Sequence, residues 1–148
     1  MTSQTKAPTV EVSKLISAPV DKVYQAWTDP QQMCKWFGCN NVSNVQVNQD
    51  LRVGGQYKIE ALSCETNKSK SVFGTFKEIV PNKKLVFSWT NDSDEFPAHD
   101  TIVTVEFIDR SGKTEVVVRH TNFAVAHSVP GHSTGWQQCL DKLANLVS

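Results

Sequence analysis

The chain has no apolar run approaching the roughly 20 residues that a membrane-crossing helix needs, which excludes a helical span. Its opening, MTSQTKAPTV, lacks the apolar core of a secretory signal, so a cytoplasmic protein is expected. Cysteine is scarce and irregularly placed. Cys34, Cys39, Cys64 and Cys139 form no disulfide framework and read, in a reducing compartment, as buried thiols. Neither a Cys-x2-Cys nor a His-x3-His spacing is present, so no metal site is expected. Charge of one sign is also missing: 15 Lys and Arg balance 15 Asp and Glu, with no basic run. The long-range field that captures nucleic acid or an anionic membrane is therefore absent, and neither partner is expected.

What is present suits one domain. A chain of 148 residues can bury a core without disulfides or metal. Residues 1–8 are polar and carry Pro8, which predicts a loose tail before a single domain over 9–148. Val10, Val12 and Ile16 alternate with polar positions as in a strand, although Lys14 falls on the apolar side. Ala18-Pro19 breaks it. Val20, Val23, Tyr24 and Trp27 then recur at helical spacing, and Asp29-Pro30 caps and restarts a second short helix carrying Met33, Trp36 and Phe37.

From Val42 to Thr121 the period becomes two. Strands are predicted around Val45 and Val47, Tyr57 to Ala61, Val72 to Val80, Leu85 to Trp89, Thr101 to Phe107, and Thr114 to His120. Gly54-Gly55, a polar tip around Glu65–Ser71, Pro81-Asn82-Lys83, the acidic segment 91–97 and Asp109–Lys113 supply the turns. The end returns to helical spacing. Ser128 reads as a cap, and His132, Trp136, Cys139, Leu140, Leu143 and Val147 share one stripe. Hairpin-linked strands must run antiparallel, and their apolar face needs a cover that only this last helix is long enough to provide. The fold class is therefore α+β, with a curved antiparallel sheet of about six to seven strands against a long C-terminal helix.

Several stretches together resemble one family. They are Ser17-Ala-Pro-Val-Asp-Lys-Val-Tyr-Gln-Ala-Trp-Thr-Asp-Pro30 with Lys35-Trp36-Phe37, then Gly54-Gly55-Gln56-Tyr57 and Gly74-Thr-Phe-Lys-Glu-Ile-Val-Pro81. Lys84-Leu-Val-Phe-Ser-Trp89, Thr114-Glu-Val-Val-Val-Arg-His120 and His132-Ser-Thr-Gly-Trp136 complete the set. Over about residues 10–147 the chain resembles the SRPBCC (START-like, helix-grip) superfamily, in the AHSA-type branch related to the heat-shock ATPase activators. The resemblance implies a cavity between the sheet and the final helix. Members bind lipids, sterols, polyketides or plant hormones, some are cyclases, and the activator domains contact a chaperone and belong to the stress response. It implies no cofactor and no shared catalytic motif. Cys39 and Asn40 stand where a Gly/Pro-rich loop is usual, and Phe37 replaces a frequent second tryptophan.

The residues themselves narrow the candidates. Glu60 and Arg119 have the parity opposite to their apolar neighbours and should face solvent, and no nucleophile–base pattern is present, so no catalytic residue is proposed. Trp27 and Trp89 read as core, while Gly135 reads as a point of close approach before Trp136. The ligand-cavity candidates are Trp36, Phe37, Phe96, His120, Phe123, His132, Trp136 and Leu140, with His132 the best polar group and Phe96 and Phe123 at an opening. The expected function is binding a small hydrophobic or amphipathic molecule. The alternatives are a chaperone-interacting module, for which the acidic loop is a candidate surface, and a polyketide cyclase-like enzyme.

Overall fold

The computed structural model describes residues 9–38, 42–63, 68–92, 97–124, 126 and 128–148. Strand β1 (Val10–Ile16) leads into helices α1 (Val20–Thr28) and α2 (Pro30–Trp36). Six strands follow: β2 (Val42–Gln49), β3 (Gln56–Ser63), β4 (Ser69–Val80), β5 (Lys84–Asn91), β6 (Thr101–Arg110) and β7 (Lys113–Thr121). Helix α3 (Ser128–Val147) ends the chain. The strands form one curled antiparallel sheet in the order β1-β7-β6-β5-β4-β3-β2. No helix among the described residues is long and apolar enough to cross a membrane.

The order carries a consequence for where a cavity can lie. Strands β1 and β2 are at opposite edges, so α1 and α2 must cross the sheet between them. The concave face is therefore covered twice, by the short helices and by α3, which packs on β1, α1 and α2. Register shifts between Ser43 and Gln46 and between Phe76 and Glu78 bend β2 and β4, as bulges do. Gly74 tightens the same region, because a Cβ there would fall on the carbonyl oxygen of Ser88 in the neighbouring strand.

Local chemistry accounts for the element ends. Asp29 has extended backbone and its carboxylate accepts the Gln31 N–H at 3.0 Å, capping α2 just before Pro30. Ser111 and Gly112 both have positive φ, 57° and 89°, the two-residue hairpin geometry that matches strand twist between β6 and β7. Lys14, which breaks the apolar pattern of β1, reaches across to Asp141 of α3 at 2.9 Å.

Two expectations are corrected. Ser128 does not cap α3 from outside: it is the first helical residue, and its hydroxyl donates to the Pro97 carbonyl at 2.7 Å, tying the helix start to the segment before β6. Gly135 marks no close approach, since nothing lies within 4 Å of where its Cβ would stand. The small residue is not required by packing. The expected tail over residues 1–8 lies outside the described residues, as do residues 65–67 of the expected polar tip, whose remaining part from Ser69 onward is the start of β4.

Candidate functional site

Period-two alternation points Thr101 of β6, His120 of β7 and Trp89 of β5 to the concave side, and the ladder places them together. Trp89 pairs with Thr101, and Val103 with His120. From above, the i, i+4 spacing of α3 stacks His132, Trp136 and Leu140 on one face, all buried. A single hydrogen-bonded chain results. Trp136 Nε1–H donates to His120 Nδ1 at 3.1 Å, and His120 Nε2 stands 2.7 Å from Thr101 Oγ1, which donates to the Trp89 carbonyl at 2.7 Å.

The chain fixes the tautomer. Indole and hydroxyl are both spending their protons, so His120 Nδ1 accepts and Nε2 carries the hydrogen. Burial, and secondarily the neighbouring His132, lower the His120 pKa to about 2. His132 is also held neutral, lowered by burial against the opposing pull of the Ser128 carbonyl. Its Nδ1 donates to that carbonyl at 2.9 Å, and its Nε2 faces the Asn91 amide at 3.3 Å. Asn91 is oriented in turn by accepting the Ala98 N–H at 3.0 Å. Both imidazoles thus have both nitrogens engaged within the protein.

Most of the residues singled out from sequence meet. Trp36 adjoins Phe37, with ring centroids 5.9 Å apart, and Phe37 meets Trp136 edge-on at 6.1 Å. His120 then contacts Phe123 at 4.4 Å, and Phe123 contacts His132 at 5.0 Å. Leu140 is fully buried in the same core. Trp36 is anchored by its N–H on the Ala26 carbonyl at 2.9 Å. Phe123, expected at an opening, is packed between the two histidine rings and 5% exposed. Phe96 lies outside the described residues.

An apolar cavity lies beside this cluster, under the short helices rather than under α3. Trp27 and Thr28 of α1, Met33 of α2 and Phe37 roof it. Tyr57 and Ile59 of β3, Phe76 of β4, and Leu85, Phe87 and Trp89 of β5 form its floor, and Gln49 and Leu51 stand at its side. Of the residues chosen from sequence that the structure describes, only Phe37 is on this wall. The floor was visible as inward parity of β3 to β5. What parity could not show was that α1 and α2, not α3, stand over those strands.

The cavity is nearly filled. Its envelope, open side included, is about 330 Å³, but only about 20 Å³ admits the centre of a water molecule. That is room for water, well short of a typical ligand pocket. Polar groups on the wall are few and mostly committed. The Tyr57 hydroxyl donates to the Ser88 carbonyl at 2.6 Å, Thr28 Oγ1 to the Tyr24 carbonyl at 3.0 Å, and Gln49 Nε2 to the Thr28 carbonyl at 2.5 Å. Among the described residues, no group of three or more His, Cys, Asp or Glu is placed to hold a metal ion.

Comparison with known proteins agrees with this architecture. Protein CV1439 of Chromobacterium violaceum superposes with a TM-score of 0.81 at 28% identity, over 94% of this chain and 96% of that one. The AHSA1-like protein of Aeromonas hydrophila gives 0.75 at 23% identity, over 93% and 92%. CalU16 of Micromonospora echinospora gives 0.72 at 23%, over 95% and 76%. No curated protein matches. The model of the family described as Activator of Hsp90 ATPase homolog 1-like protein matches residues 17–148, nearly the whole sheet-and-helix unit, and the chain belongs to that family.

Proposed function

We propose that the protein binds a small, predominantly apolar molecule in the cavity beneath α1 and α2. The observation that carries this reading is the wall itself: aromatic and aliphatic side chains from three strands and two helices enclose a space, and none of the lining residues is charged. An occupant larger than a water or two requires the wall to yield. The side that can yield is the one closed by Gln49 and Leu51, where Leu51 is 40% exposed and a single hydrogen bond joins Gln49 to the end of α1.

A proton-transfer role for the histidines is disfavoured by their commitment to Trp136, Thr101, Ser128 and Asn91, which supports a binding role over a cyclase-like one. The family's name makes a chaperone ATPase the competing partner. Native mass spectrometry of protein purified from its own host tests the proposal, with a co-purifying mass of a few hundred daltons as the expected result. A bare protein mass, together with no tryptophan-fluorescence response to small uncharged aromatics, retires it. Stimulation of the cognate chaperone's ATPase by such a bare protein favours the competing reading.

A further inference from the structure

A much larger space lies on the convex face of the sheet, away from the helices. About 680 Å³ there admits the centre of a water molecule, against about 20 Å³ in the inner cavity. That volume is within the range of small-molecule sites. Strand parity sets its lining. Tyr57, Ile59, Phe87 and Trp89 point inward, so Gln56, Lys58, Ser88 and Thr90 point outward. Ladder pairing aligns these positions across four strands. Asn48, Lys58, Phe73 and Thr90 form one row, each paired with the next. In the row beside it Gln56 pairs with Thr75, whose N–H donates to Ser88 Oγ at 2.9 Å. Ser88 is sunk into the sheet, 8% exposed, so the second row is a floor beside the exposed Lys58 and Phe73. Asp50 and Asp100 complete the lining.

The groove differs chemically from the rest of the convex face. On β1, β7 and β6 the outward charges neutralise one another: Arg119 pairs with Glu11 and Glu106, and Arg110 with Glu115. In the groove Asp50 pairs with Arg52, and Lys58 stands 4.0 Å from Glu60. The amides of Asn48 and Gln56, the Thr75 hydroxyl and the Asp100 carboxylate have no side-chain partner among the described residues. Phe73 stands among them 48% exposed, the only exposed aromatic ring of the described residues.

We propose that this groove binds an uncharged sugar. The ring of Phe73 takes the C–H face of a pyranose, whose hydrogens suit the negative face of an aromatic ring. The amides, the Thr75 hydroxyl and the Asp100 carboxylate take its hydroxyl edge. Amides and hydroxyls both donate and accept, as sugar hydroxyls do, and the carboxylate accepts from them. An anionic ligand would meet Asp50 and Asp100 with only Lys58 in compensation. A peptide strand seeks an open sheet edge, whereas β3, β4 and β5 are paired on both sides. The site is independent of the inner cavity and of its occupant.

The test is a titration of ¹⁵N-labelled protein with cellobiose, whose rings present flat C–H faces, and with sorbitol, an open-chain polyol without one. The expected result is saturable movement of the Lys58, Phe73, Thr75 and Thr90 backbone resonances with cellobiose and not with sorbitol. Phe73→Ala should weaken cellobiose binding roughly three- to tenfold, the scale of one aromatic face contact, and Phe73→Tyr should retain it. Both changes fall on an exposed side chain, and unmoved resonances of α3 report that the variants fold. No saturable movement with cellobiose, equal movement with sorbitol, or an affinity untouched by Phe73→Ala overturns the site. Movement of the same resonances on raising the protein concentration without sugar makes this face a contact between copies, and overturns it as well.

Discussion

The Trp136 indole N–H donates to Nδ1 of His120 at 3.1 Å, joining α3 to β7 through two buried rings. The bond sets the imidazole tautomer, and with it the direction of every hydrogen bond down to the Trp89 carbonyl. Trp136→Phe keeps a ring in place but strands the Nδ1 lone pair in a site without water. Urea denaturation should show a loss of about 1–3 kcal/mol, the cost of a buried unsatisfied acceptor. A loss within error would show that the bond contributes nothing net.

The same pair governs acid sensitivity. His120 has its folded-state pKa depressed to about 2, against an unfolded value near 6.5, and His132 is shifted in the same direction. The unfolded chain therefore binds protons that the folded one does not once the pH falls below about 6.5. Stability is complete above that pH and declines as acid is added, by about 1.4 kcal/mol per pH unit for His120, with His132 adding in the same direction. Between pH 6 and 5 the slope of unfolding free energy against pH should be shallower in His120→Gln than in the wild type by about one proton. Equal slopes would mean that His120 accepts a proton in the folded protein.

Gln49 and Thr28 close the yielding side of the cavity through one hydrogen bond, from the Gln49 amide to the Thr28 carbonyl. Gln49→Ala should lower stability by no more than about 0.5–1.5 kcal/mol. Entry of an uncharged aromatic probe should become faster, as read by stopped-flow tryptophan fluorescence. An unchanged association rate would place the entrance elsewhere.

Two glycines should respond oppositely to alanine. At Gly74 the added Cβ falls on the Ser88 carbonyl of the adjacent strand, and overpacking of this kind costs about 1–3 kcal/mol. At Gly135, inside α3, the Cβ meets nothing within 4 Å, and relief of glycine's backbone entropy should raise stability by about 0.5–1 kcal/mol. Thermal melts of the two variants read both signs, and a destabilised Gly135→Ala would restore the close-approach role that the geometry denies it.

The alternation of Val103, Val105 and Phe107 and of Val116, Val118 and His120 was legible because a strand's two faces repeat every second residue, whatever the strand packs against. Lys14 looked like an interruption only because its partner, Asp141, lies 127 positions away. Ser128 was misread for a similar reason. A serine before a helical stripe has the chemistry of a cap, but a carbonyl at Pro97 from a distant loop claimed its hydroxyl.

The candidate site divides the same way. Its apolar character, the inward position of His120 and the stacked face of His132 and Trp136 follow from local periodicity, and the sequence alone determined them. The placement of β1 and β2 at opposite sheet edges is a long-range pairing that no local pattern encodes. That pairing carries α1 and α2 over β3 to β5, which turns Trp89 from a core tryptophan into a cavity wall with a free N–H. Tertiary structure alone decided it, because an atom's lack of a hydrogen-bond partner depends on every neighbour brought against it, and those neighbours come from three separate parts of the chain.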